Sequence, residues 1–335
     1  MSRKILLCLV VLFIFTLGLA ISPVAVTQAA AKTYTISSLT AWPKAAFESQ
    51  QFLQFVANVQ KEADQKYPGE LKMVYKGANE VIRNREQVEA CRTGLIDMVY
   101  TAGSYYTSIL PEIDTMSLTT MQPWEERKAG VDDYLEKLHL EKAGVYMLGR
   151  TGTGIYFHLF LAKPIAKVDD LKGMKIRVSP TNIPFMKAVG AVPISMPPPD
   201  IYTAMERGVV DGYILPPSTI RDFGLVPVSK YFVVQPIYQA CQFLVINPKV
   251  WNGLPKHLQD LLTENTIKLA HFNIENEVKM NDSELADFKK HGMVFIDLAK
   301  DEAVKFKKIA DEALYEALLK KAPEEVKKIK EMITK

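Results

Sequence analysis

The feature that most constrains this chain is a phrase that occurs twice. Arg85-Glu-Gln-Val-Glu-Ala-Cys-Arg-Thr-Gly94 reads as a helix closed by a glycine C-cap, running into the apolar segment Leu95 to Tyr100. Far downstream, Ile201-Tyr-Thr-Ala-Met-Glu-Arg-Gly208-Val-Val-Asp211-Gly is again a helix, a glycine, two apolar residues and an aspartate. Gly94-Leu-Ile-Asp97 and Gly208-Val-Val-Asp211 can be laid over each other without a gap. Helix–glycine–strand junctions occur in every α/β protein, which is the plain explanation. The sharper one is two similar α/β lobes, each with this unit near its mouth.

The surrounding segments fit an α/β fold with mostly parallel sheets. Thr33 to Ser38 alternates like a strand, and Phe47 to Lys66 places Phe52, Phe55, Val56, Val59 and Ala63 at helical spacing. Pro68-Gly69 marks a turn before the strand Leu71 to Tyr75. Lys167 to Ser179 reads as a polar helical turn, a glycine and an alternating strand, with Arg177 near that strand's end. The stretch 256–290 contains neither Gly nor Pro, which predicts a helix long enough to run across two lobes. A strand from Met293 to Asp297 and two Lys/Glu-rich amphipathic helices complete the chain.

Composition narrows the class. Hydrophobic residues at 48% and charged residues at 24% exclude a disordered chain and a polytopic membrane protein. Lys plus Arg (41) nearly balances Asp plus Glu (38), with no basic stripe, so no nucleic-acid partner is expected. Arg3 and Lys4, the apolar run Ile5 to Ile21 and the Ala-rich stretch Thr27 to Ala31 read as a cleaved secretory signal peptide over 1–31. The leader marks the chain for export across the inner membrane. Only Cys91 and Cys241 then remain, so a disulfide scaffold is excluded.

Catalytic signatures are missing. The five histidines never form H-E-x-x-H or another familiar metal spacing, and there is no G-x-S-x-G elbow. Gly149-Arg-Thr-Gly-Thr-Gly154 is followed by Ile155-Tyr156 where a phosphate loop needs Lys-Ser/Thr, and reads instead as a flexible crossover between lobes. The expectation is no enzyme, no cofactor and no metal. Chemistry is carried by one arginine and a set of rings. Taken alone, Arg177 reads as an exposed strand-end residue, yet its guanidinium fork can hold a carboxylate through two parallel hydrogen bonds. Trp42, Tyr105, Tyr106, Tyr156, Phe157, Tyr213 and Tyr238 cluster near the expected lobe mouths. Any one of them alone reads as core. As a set they suggest a ring-lined cleft with a single cation at its base, suited to a small organic acid.

These phrases, together with Gly190-Ala-Val-Pro-Ile-Ser-Met196 and Trp251-Asn-Gly-Leu-Pro255, stand in the order found in DctP-type solute-binding proteins. Those are the extracytoplasmic receptors of TRAP (tripartite ATP-independent periplasmic) transporters, and the chain resembles them over essentially its whole mature length. The resemblance implies a two-lobe periplasmic-binding-protein fold with crossover strands and a long interlobe helix. The expected lobes are 32–154 plus about 243–280, and 155–242 plus about 281–335. The family's carboxylate-clamping arginine matches Arg177.

The departures matter as much. Phe157 stands where sialic acid receptors carry a second arginine, Ala102 and Tyr105 replace a Glu and an Arg, and Leu215 replaces an Asn. A small monocarboxylate with an apolar or aromatic body is therefore expected. Arg177, Phe157, Tyr105, Trp42, Leu215, Tyr238, Tyr213 and Arg83 form the candidate site, and Arg83 or Arg150 is the candidate for a second cation. The implied partners are the organic acid and the membrane subunits of a sodium-driven TRAP transporter, with the protein itself a monomer. The alternatives are a ligand-sensing extracytoplasmic subunit for a membrane sensor kinase and, behind it, a secreted enzyme on the same scaffold.

Overall fold

A computed structural model describes residues 32–152 and 155–334; the expected leader lies outside the described residues. In chain order the strands are β1 (Tyr34–Thr40), β2 (Leu71–Gly77), β3 (Met98–Ala102), β4 (Tyr146–Gly152), β5 (His158–Leu161), β6 (Lys175–Val178), β7 (Val192–Ser195), β8 (Gly212–Leu215), β9 (Tyr231–Val233), β10 (Gln242–Ile246) and β11 (Val294–Ile296). They form two sheets, ordered β2-β1-β3-β10-β4 and β11-β9-β5-β8-β6-β7. Within each sheet a parallel set (β2, β1, β3 and β7, β6, β8) is joined by antiparallel neighbours, β10 in the first and β5 in the second.

The repeated phrase does the same structural work in both sheets. Helix Gln87–Thr93 ends at Gly94 (φ 81°), and helix Ile201–Glu206 is followed by Gly208 (φ 67°), both in the left-handed region that favours glycine. The next amide folds back in each case, Leu95 onto the Ala90 carbonyl and Val209 onto Ala204 (both 2.9 Å). The aspartates are equivalent too. Asp97 Oδ2 accepts from the Ser37 amide (2.7 Å) in β1, and Asp211 Oδ2 accepts from the Lys175 amide (2.9 Å) in β6. Each unit thus ties its strand to the backbone of a parallel neighbour.

The chain crosses from β4 to β5 and returns from β9 to β10, and these two crossings pair. Phe157 and Ile237 donate amides to the carbonyls of Tyr238 and Phe157 (both 2.9 Å), and Ala240 donates to Ile155 (2.7 Å). Gly149 and Gly152 belong to β4 rather than to a crossover loop, because they pair there with β10. Helix Lys256–Lys290 serves both sheets. Leu258, Leu261, Leu262 and Leu269 bury in the first core, and Phe288 in the second, among Phe160, Tyr213 and Phe232. Helix Phe47–Lys66 buries Phe52, Phe55, Val59 and Ala63 on one face, as its spacing predicts. Among the described residues no helix is long and apolar enough to cross a membrane.

The C-terminus departs from the expected lobe division. Helix Pro323–Ile333 places Val326 in the second sheet's core, but Ile329 and Ile333 in a core of the first, beside Leu135, Leu138 and Val245. Residues beyond 322 therefore span both sheets. Cys91 and Cys241 are buried free thiols.

Gly212 shows how tightly β8 is seated. A Cβ there would stand 2.4 Å from the Phe160 carbonyl oxygen and 2.6 Å from Leu161 Cδ2. Gly212→Ala must push β8 off β5 and should cost about 1–3 kcal/mol, read from chemical denaturation. A variant as stable as the parent would mean that β5 and β8 are not locked at this spacing.

Candidate functional site

The C-terminal ends of the parallel strands in both sheets open on one cavity, the place where α/β sheets bind ligands. It has an outer part of about 450 Å³ and an inner chamber of about 60 Å³. Trp42, Tyr105, Arg177, Ser179, Pro198 and Phe223 line both. Trp42 follows β1, Tyr105 follows β3, Arg177 and Ser179 come from the end of β6, and Pro198 follows β7. The first sheet contributes the rings Trp42 and Tyr105, and the second contributes the buried cation Arg177.

Arg177 is 3% exposed, not an exposed strand-end residue. β6 is flanked on both sides, with Arg177 opposite Ile194 on β7 and Tyr213 on β8. Its Nε and Nη2 donate to the Met196 carbonyl (2.9 and 2.8 Å) and its Nη1 donates to Ile214 (3.3 Å). Of the five guanidinium N–H groups, one on Nη1 and one on Nη2 are left over. Among the described residues no carboxylate lies within ion-pair distance of it. Burial consequently lowers its pKa to about 10, and Arg85 nearby pushes the same way against the Tyr105 phenol. Even so, it stays fully charged at neutral pH.

The structure separates the other candidates into two groups. Trp42 stands 6.2 Å from Tyr105, ring centre to ring centre, and both line the cavity with Phe157 and Leu215. Arg83 lines the outer part from an exposed loop, where Arg85, Asn84 and Asn79 join it. Tyr213 and Tyr238 do not belong to this set. Tyr213 is buried beneath β8, stacked on Phe160 with its hydroxyl on Ser229, and Tyr238 sits in the second core with its hydroxyl donated to the Ala310 carbonyl. Tyr106 is also core, bonded to His139. Arg150 is no second cation for the cavity. It is 2% exposed and its charge is matched by Glu126, with Nε donating to Oε2 at 2.7 Å and Nη2 donating to Oε1.

Arg85, Phe223 and Glu48 line the cavity although sequence reasoning did not select them. Glu48 had a visible signal, since it precedes Phe52 by one helical turn and so shares the buried face of its helix. Its side chain is buried, and desolvation raises its pKa to about 7, with Asp222 adding to the rise against the residue's own backbone amide. Asp222 reaches across from the second sheet to accept the Phe47 amide (3.3 Å) at the start of that helix.

Comparison with known proteins adds a family. The model for bacterial extracellular solute-binding protein family 7, DctP, matches residues 44–321. A solute-binding protein of Albidiferax ferrireducens is 24% identical over 88% of this chain and 89% of its own. A TRAP periplasmic solute-binding protein of Desulfovibrio salexigens, solved with orotic acid, superposes with a TM-score of 0.80 at 21% identity, over 90% of this chain and 99% of its own. A Bordetella pertussis extracytoplasmic solute receptor binding pyroglutamic acid gives 0.78 at 18% identity, with the same coverage.

Glu48 makes the site's proton balance testable. Between pH 4.5 and 7 the folded protein keeps a proton that the unfolded chain releases, so this residue's contribution to stability falls as pH rises through that window. Glu48→Gln should match the parent near pH 4.5 and exceed it by on the order of 2–3 kcal/mol at pH 8 in urea unfolding. A pH-independent difference would show that the carboxyl titrates normally.

Proposed function

Because the chain belongs to bacterial extracellular solute-binding protein family 7, we propose that it captures a small organic acid outside the cytoplasm, by its carboxylate, and delivers it to a TRAP-type membrane transporter. One observation carries this reading. Arg177 is a buried cation without an acid partner, at the base of a ring-lined cavity, with one N–H on each terminal nitrogen still to be matched. Burying an unpaired charge is destabilising, and a carboxylate that completes the pair recovers that free energy on binding. The reading is capture and release without chemical change, in keeping with a family of binding proteins. The leader over 1–31 would take the protein to the periplasm, where the sodium-driven membrane subunits can receive its ligand.

The shape of the inner chamber favours a monocarboxylate with an apolar or ring-bearing body. Phe157 and Leu215 stand beside Arg177, so a second carboxylate there would be desolvated without a cation. An apolar ring would instead gain about 25 cal/mol per Å² removed from water. Arg83 and Arg85 line only the outer part and are exposed, so a charge held there stays hydrated and gains little. Orotic acid and pyroglutamic acid, bound by the two similar structures, are both ring compounds with one carboxyl group.

Two measurements test this. In calorimetry with orotate, pyroglutamate and aromatic acids, Arg177→Ala should weaken binding by about 2–5 kcal/mol. Arg177→Lys should restore only part, because an ammonium cannot reproduce the two-pronged geometry. Binding to the alanine variant as tight as to the parent would remove Arg177 from the site. Separately, an aromatic or branched-chain monocarboxylate should bind better than a C4-dicarboxylate of similar size. The reverse preference would assign a second carboxylate to Arg83 or Arg85.

A further inference from the structure

The inner chamber that holds Arg177 is also lined by Glu48, and that side of the cavity is not apolar. Glu48 is 2% exposed, and its Oε2 meets no hydrogen-bond donor. Gln51, one turn along the same helix, and Glu277 on the long helix are buried polar side chains behind it. All three side chains are nine-tenths buried or more. Burial, with the Glu48 carboxyl adding to it, raises the pKa of Glu277, and Asp222 from the opposite sheet adds to the rise at Glu48. Buried polar atoms are nearly always bonded, because leaving one unmatched is destabilising. Of these three side chains Glu48 is the one that lines the chamber, and an unmatched acceptor on that wall needs a reason beyond folding.

The cavity is polarised as well. Arg83 and Arg85 line only the outer part, Arg177 lines both, and Glu48 lines only the inner chamber. A ligand whose carboxylate reaches Arg177 would bring the rest of its body against the unmet Glu48 acceptor. An all-carbon body would leave that acceptor unmatched and shut away from water. We propose that Glu48 determines specificity by accepting a hydrogen bond from a donor on the ligand, a hydroxyl, an amide N–H or an ammonium, carried on the body away from the carboxylate. This rests on the carboxylate reading of Arg177 and sharpens it: the ligand is an organic acid with a ring or apolar body and one donor.

Calorimetry with benzoate and its 3- and 4-hydroxy and 3- and 4-aminomethyl derivatives tests the idea on the whole mature protein, Glu48→Leu and Glu48→Gln. In the parent at least one donor-bearing acid should bind about tenfold or more tighter than benzoate. Glu48→Leu should abolish that increment, so that it binds benzoate and the donor-bearing acids with similar affinity. Glu48→Gln, which keeps an acceptor without the charge, should retain a hydroxyl preference and lose an ammonium preference, which identifies the kind of donor. Melting temperature separates a ligand role from a structural one: Glu48→Leu should melt no lower than the parent, since it removes an unmatched buried acid. Equal binding of benzoate and every donor-bearing derivative by the parent overturns the inference alone. So does discrimination that survives in Glu48→Leu, or a lowered melting point with discrimination intact. If the parent binds none of these acids, nor orotate nor pyroglutamate, the carboxylate reading fails and takes this inference with it.

Discussion

The paired crossings at 155–157 and 237–240 are the constraint on which the rest depends. They hold the two sheets together with backbone hydrogen bonds, so that β1 and β3 of one sheet and β6, β7 and β8 of the other send their C-terminal ends to a single cavity. Side chains at or just past these strand ends form much of its lining. Trp42, Tyr105, Arg177 and Pro198 come from four separate stretches of chain and share nothing in sequence except that position. The long helix Lys256–Lys290 reinforces the arrangement by burying leucines in one core and Phe288 in the other.

Two kinds of buried charge coexist in this frame, and the difference between them locates the site. Arg150 is fully buried but matched by Glu126 and by the Gly152 and Met121 carbonyls, as a structural charge must be. Arg177 is equally buried but has only backbone carbonyls as partners. Glu48 is its acidic counterpart, a carboxyl that avoids ionisation at the expense of a raised pKa. A protein selected for stability alone would match or remove both groups. Their persistence in one cavity is what a ligand with complementary polarity would explain.

Much of the fold was legible before any coordinates, because it rests on local rules. The 3.6-residue spacing of Phe52, Phe55, Val59 and Ala63 marked a helix whose observed bounds are Phe47–Lys66, and the absence of Gly and Pro marked Lys256–Lys290. The Gly-x-x-Asp repeat proved to be a shared junction, with Asp97 and Asp211 bonding equivalent amides. The C-terminal helix was assigned to one lobe, whereas Ile329 and Ile333 dock on the other sheet, a partnership that amphipathicity alone does not specify.

What the amino-acid sequence by itself determined was the class: an α/β chain with a repeated helix–glycine–strand junction and a family resemblance that singled out Arg177. What only the tertiary structure decided was which charges and rings share a cavity. Tyr213 and Leu215 are two residues apart on β8, yet one is sealed under the sheet against Phe160 and the other lines the chamber. Arg150 and Arg177 are both strand arginines, and neither composition nor periodicity says which one finds an acid. Helical and strand periods come from the backbone geometry of neighbouring residues, so sequence carries them directly. Charge matching and cavity lining depend on contacts between residues distant in the chain, and those exist only once the two sheets have met.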